Sequence, residues 1–159
     1  MMMREEGGSA AITTVVLLPL LLTVVAGVVQ LGAIRVLAAR VASAADLATL
    51  AAADDQDAAE LIRAGVLRLA PDAEAVARRY FALNLAQIAP LLAVSPDEAA
   101  AGADVVAFAT APATDPLTGW RYARPTVRLA AAVPIRTPLF GSILAPTTLV
   151  NVRAASAAR

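Results

Sequence analysis

The chain has 159 residues, of which 59% are hydrophobic and only 16% charged, with thirteen basic side chains balancing thirteen acidic ones. That length supports one small folded unit, and the apolar excess points to lipid or a partner surface rather than to a nucleic-acid field. His and Cys are absent and every basic residue is Arg, so the commonest general base, the thiolate nucleophile and the usual transition-metal ligands are missing. No catalytic, cofactor-binding or metal site is expected, and no nucleic-acid or small-molecule partner.

The first element is the run from Gly7 to Ile34, which has no charged side chain and is met by Arg35. A helix over Ala10 to Ile34 would cover about 37 Å, enough to cross a hydrocarbon core of about 30 Å with some tilt. A secretory signal needs an apolar stretch of only about 7–15 residues, so the run reads as a permanent anchor, although "VASAA" at Val41 to Ala45 imitates a cleavage site. Pro19 predicts a kink inside the span. Gly27 and Gly32 offer small surfaces for helix packing at a spacing of five, not the four of a close-packed dimer.

The helix pattern continues from Arg35 to Gln56 without Gly or Pro. The expectation is one transmembrane and stalk helix over residues 10–56, preceded by a short segment 1–9 and followed by a head over 57–159. Small residues at Ala38, Ala42, Ala45, Thr49 and Ala52 form a ridge for another helix, with Asp46 beside it as a solvated carboxylate or a partner for an Arg. The acidic cluster Asp54, Asp55, Asp57 and Glu60 reads as a helix start, because the alternating ligands and glycine of a calcium loop are missing.

In the head, Ile62, Val66 and Leu69 predict a packed helix ending at Pro71. Ala77, Phe81, Leu85, Ile88 and Leu92 predict an amphipathic helix, with Tyr80 and Phe81 as packing residues. From Ala103 the period becomes two, and three antiparallel strands are expected: one around Val106 and Phe108; one with Val127, Leu129, Ala131 and Val133 on one face and Arg128 on the other; and one with Thr148, Val150, Val152 and Ala154 on one face. "PATDPLTGW" and "PLFGSILAP" supply the connecting turns. Asp97, Glu98, Asp104 and Asp115 are expected at the surface in Pro-, Gly- and Ala-rich connectors. The fold class is therefore α+β: a long N-terminal transmembrane and stalk helix, then a small pilin-like head with amphipathic helices and an antiparallel sheet of about three strands.

The opening "EEGGS", the long apolar helix, the continuation "ASAADLATLAAA" from Ala42 to Ala53, "ARRYFALN" and a closing pair of strands together resemble the TadE/TadG-like proteins of tight-adherence (Flp) pilus systems. The resemblance implies a pseudopilin-like or minor pilus component without enzymatic activity. It would be held as a single-pass protein in the inner membrane with its C-terminal head outside the cytoplasm. Its partners would be other pilus-assembly or pilin-like subunits, met through the N-terminal helix, together with membrane lipid. Prepilins carry Glu at the fifth position after the cleavage Gly; here Ile12 follows Gly7 and Thr13 follows Gly8 at that distance, which places the chain nearer the TadG-like members. A membrane-tethered extracytoplasmic binding protein of another envelope system is the alternative. Basic residues alone, Arg4 before the span against Arg35 and Arg40 after it, slightly favour a cytoplasmic head, the reverse of what the resemblance implies.

Overall fold

The computed structural model describes residues 6–141 and 145–159, with side chains from Thr13 onward among the first residues. Residues 1–5, which belong to the expected N-terminal segment 1–9, lie outside the described residues, as do residues 142–144 of "PLFGSILAP".

One helix, α1 (Glu6–Asp54), runs unbroken for 49 residues, about 73 Å at the ordinary helical rise. After it come α2 (Ala58–Ala64), α3 (Ala73–Leu85), a 3-10 segment (Ala86–Leu91) and α4 (Pro96–Ala101). The strands are β1 (Asp104–Phe108), β2 (Ala113–Thr114), β3 (Arg121–Tyr122), β4 (Thr126–Arg136) and β5 (Thr147–Ala157). The main sheet has the order β1-β4-β5, entirely antiparallel, while β2 and β3 form a separate two-stranded hairpin. The long apolar helix, the helices and the three-stranded sheet make the chain α+β.

Alternation sets the sheet's inner face. Val127, Leu129, Val133 and Ile135 of β4 are fully buried, and Val150, Val152 and Ala154 of β5 lie on the same side. The register pairs Leu129 with Ala154 and Val133 with Val150, so the two longest strands present one continuous apolar surface. That surface lies on α1, which also packs against α3. The expected stripe is buried throughout, although α3 carries only Ala77, Phe81 and Leu85, with Ile88 in the 3-10 segment and Leu92 just beyond it. Tyr80, expected to pack with Phe81, is instead exposed, one residue off the stripe.

Three local expectations change. The helix expected to reach Pro71 ends at Gly65, whose φ of 64° places it in the left-handed region that a glycine accepts at no steric cost. Ile62 and Val66 are therefore not on a packed face: Ile62 is 86% exposed, whereas Leu69, whose backbone bridges to Gln56, is buried in the core. At the other end of α2, Asp57 accepts the Glu60 amide at 3.0 Å, the capping role read from the acidic cluster. In β1 the inward residue is Val105, with Val106 and Phe108 on the half-covered side. Helix α4, not anticipated, starts at Ser95, whose hydroxyl accepts the Glu98 amide at 3.2 Å, with Pro96 at its first position.

Candidate functional site

The surface that sets this chain apart is α1, whose two halves meet different surroundings. From Val15 to Leu31 its large apolar side chains stand exposed, Val15, Leu17, Leu20, Leu21, Val28 and Leu31 among them. The helix is long and apolar enough to cross a membrane. From Leu37 onward the same helix enters the core: Leu37, Val41, Ala44, Ala45, Ala48, Thr49, Ala52 and Ala53 are buried. These recur at three and four residues, and alanines let α3 and the sheet approach the helix backbone closely.

Pro19 sits within the helix, and the Thr23 hydroxyl donates to its carbonyl at 2.8 Å. Gly27 and Gly32 have nothing within 4 Å of where a Cβ would stand, so both remain open notches on the helix. Asp46 is exposed and forms no ion pair among the described residues.

The ridge expected to receive another helix lies against the chain's own head. Ala45, Thr49 and Ala52 are fully buried against the chain's own head, and Ala38 and Ala42 are half-buried at its margin. Thr49 Oγ1 lies 2.9 Å from Ser156 Oγ, tying this stretch to the end of β5. The deepest face also includes Leu37, Val41, Ala44 and Ala48, displaced around the helix from the ridge. An alanine-rich helix has little sidedness in its sequence, so the face that packs is chosen by the partner elements. Along one flank, Arg40, Ser43, Ala44 and Leu47 of α1 face Asn84, Gln87 and Ile88 across a shallow cleft.

A second polar constellation was not legible as such. Arg128, the third residue of the central strand, is almost fully buried on the sheet face away from α1. Its Nη2 donates to Asp104 Oδ2 at 3.0 Å, and its Nε lies 3.3 Å from Asp115 Oδ2, too poorly aligned for a hydrogen bond. Asp115, expected at the surface, is fully buried because the β2–β3 hairpin folds it over β4. Its carboxylate accepts the Leu117 amide at 3.0 Å and the Thr118 hydroxyl at 2.7 Å. Burial alone pushes the Asp115 carboxyl up, but the bonds from Thr118 and Leu117 and the charge of Arg128 more than offset it, leaving the carboxyl below its ordinary value. Burial, then the neighbouring Asp115 charge, raise the Tyr122 hydroxyl. The usable signal was a lone Arg within an apolar strand, which requires a counter-charge. The hairpin covers part of the outer sheet face, and Thr118, Trp120, Tyr122, Arg128 and Arg153 line an open pocket beside it. Among the described residues no group of three His, Cys, Asp or Glu is placed to hold a metal ion.

No curated protein and no solved structure matches the chain. Residues 8–55, which are α1 almost from end to end, match the family model described as Tad, putative Flp pilus-assembly TadE/G-like. The bare apolar half and the core half of α1 both lie inside that match, so it is this helix that is similar to the Tad family.

Proposed function

We propose that the chain is a membrane-anchored, pseudopilin-like minor component of an Flp pilus or a related secretion assembly, acting through helix packing and protein–protein contacts rather than through a reaction. The match over residues 8–55 supports the role in Flp pilus assembly. The observation that carries the finer reading is the division of α1: a half whose large apolar side chains stand uncovered from Val15 to Leu31 continues without a break into a half fixed inside a folded head. A helix of that kind transmits the position of the head to whatever its membrane half packs against. Because Ala45, Thr49 and Ala52 are occupied within the chain, the contact surface for other subunits is assigned to the open half, at Pro19, Gly27 and Gly32, with the margin at Ala38, Ala42 and exposed Asp46 beside it. In this reading the head stands outside the cytoplasm, after a single pass of α1 through the inner membrane. The burial of Leu37, Val41 and Ala44 in the head supports retention of the span, since a cut near Ala45 would take core residues away.

Topology is tested by single cysteines in a chain that has none of its own. Ile62→Cys, at the most exposed large apolar side chain of the head, is expected to react in intact cells with a thiol reagent that does not cross the inner membrane; Ser9→Cys is not. Reaction at Ser9 alone would place the head in the cytoplasm and remove the pilus reading. Assembly is tested by Gly27→Leu combined with Gly32→Leu, which should abolish co-purification of pilus-assembly subunits while the protein stays in the membrane. Unchanged co-purification would move the contact elsewhere.

A further inference from the structure

The loop joining β4 to β5 returns to α1 at an informative height. The Leu139 amide donates to Gln30 Oε1 at 2.8 Å, a contact spanning 109 positions of sequence. Gln30 is the one polar side chain between Thr23 and Arg35, and it is buried. It lies about 7.5 Å to the membrane side of Arg35 along the helix axis.

An independent measure agrees. Ser156 is held beside Thr49; nine residues back along β5 to Thr147 is about 30 Å, which on α1 is about twenty residues and arrives near Val29. Leu139 and Thr147, at the two ends of the β4–β5 connection, therefore stand beside the end of the apolar run.

Its composition suits that place. Thr137 to Pro146 carries no charge, Leu139 is 52% exposed and Phe140 is partly exposed. On α1 the neighbouring Val28, Val29 and Leu31 are also exposed, so tip and helix form one apolar surface. The nearest charge on β4, Arg136, is drawn back toward the head, its Nε donating to the Leu92 carbonyl at 2.9 Å.

We propose that this hairpin tip is a second membrane contact, seating Leu139 and Phe140 at the headgroup–acyl boundary of the leaflet from which the head rises. The occupant is phospholipid. The proposal rests on the reading of α1 as a membrane span, and the Gln30–Leu139 hydrogen bond is the joint between the two contacts. Two attachment points, one through the bilayer and one at its surface, fix the rotation and tilt of the head, which a single helix would leave free.

The test uses the full chain in vesicles of phosphatidylethanolamine and phosphatidylglycerol, with an environment-sensitive fluorophore on single cysteines at Leu139→Cys, Val24→Cys and Leu117→Cys. Leu117 is exposed on the β2–β3 hairpin, at the opposite end of the head. The expected result is that Leu139→Cys loses most of the iodide quenching seen at Leu117→Cys and is quenched by lipids spin-labelled near the top of the acyl chain. Iodide access at Leu139→Cys, with Val24→Cys still quenched by lipid, would overturn the proposal and leave the span intact. Shielding from iodide without quenching by lipid would also overturn it, showing a second copy of the chain over the tip. Iodide access at Val24→Cys would remove the span reading itself.

Discussion

The two halves of α1 are both largely apolar and meet opposite surroundings. Between Val15 and Leu31 the large side chains Val and Leu point outward with no protein over them, whereas between Leu37 and Ala53 small ones, mostly Ala, point into a core. The difference follows from size: lipid accepts bulk around the whole circumference, but a helix between α3 and a sheet must be thin on the sides that touch. One continuous helix thus serves two solvents, and the change occurs across Gln30 to Leu37, where the polar Gln30 is satisfied by the Leu139 amide.

If the halves are independent in energy, disrupting one should leave the other unchanged. The largest expected effect is Phe81→Ala, which removes a fully buried ring from the core and should lower head stability by about 3–5 kcal/mol. Hydrogen exchange of the β4 amides in detergent micelles reads this loss, while resistance of the protein to alkaline extraction from membranes should not change. Release from the membrane by Phe81→Ala would show that head and span are coupled.

Leu21→Arg is the converse, with a cost to insertion of about 2.5–3.5 kcal/mol near the centre of the span. The membrane-integrated fraction should fall while β4 exchange in micelles stays as in the parent chain. A third comparison sets Ala48→Leu against Gly32→Leu on one helix. Overpacking at fully buried Ala48 should destabilise the head by about 1–3 kcal/mol. At Gly32, with open space around it, the change should be within about 0.5 kcal/mol. Equal losses at the two positions would mean that the boundary between the halves is misplaced.

The smallest effect is expected on the outer sheet face. Asp115→Ala should cost about 1–2 kcal/mol, since Arg128 loses one buried partner but keeps Asp104. The Asp115 carboxyl is held below its ordinary value in the fold, so its contribution is fully present above the unfolded value of about 3.9 and is lost as pH falls through the lowered native one. The stability difference between parent and Asp115→Ala should therefore be constant near neutrality and shrink in acid. A difference that persists unchanged well below the ordinary carboxylate range would show that the charge of Asp115 does not matter.

Much of this was legible because it rests on local periodicity. The uncharged run identifies α1, while the stripe of Ala77, Phe81 and Leu85 and the alternation of Val127, Leu129 and Val133 each identify an element with its inner face. The packed face of α1 was harder to read, since Ala38 and Ala44 look alike in a stretch where nearly every position is small. Asp115 was missed for another reason: "DPLTGW" has all the marks of a surface turn, and only the folding of that turn over Arg128 buries its carboxylate.

By itself, the sequence determined that this protein has an apolar helix long enough for a bilayer, a helix stripe, three alternating strands and no His or Cys for chemistry, because periodicity and composition act over a few residues at a time. The tertiary structure decided that the second half of α1 is core rather than free stalk, that Arg128 has two carboxylate partners, and that the β4–β5 tip returns to Gln30. Those outcomes join residues up to 109 positions apart, and such pairings depend on how whole elements stack and on which polar groups must be satisfied where they meet.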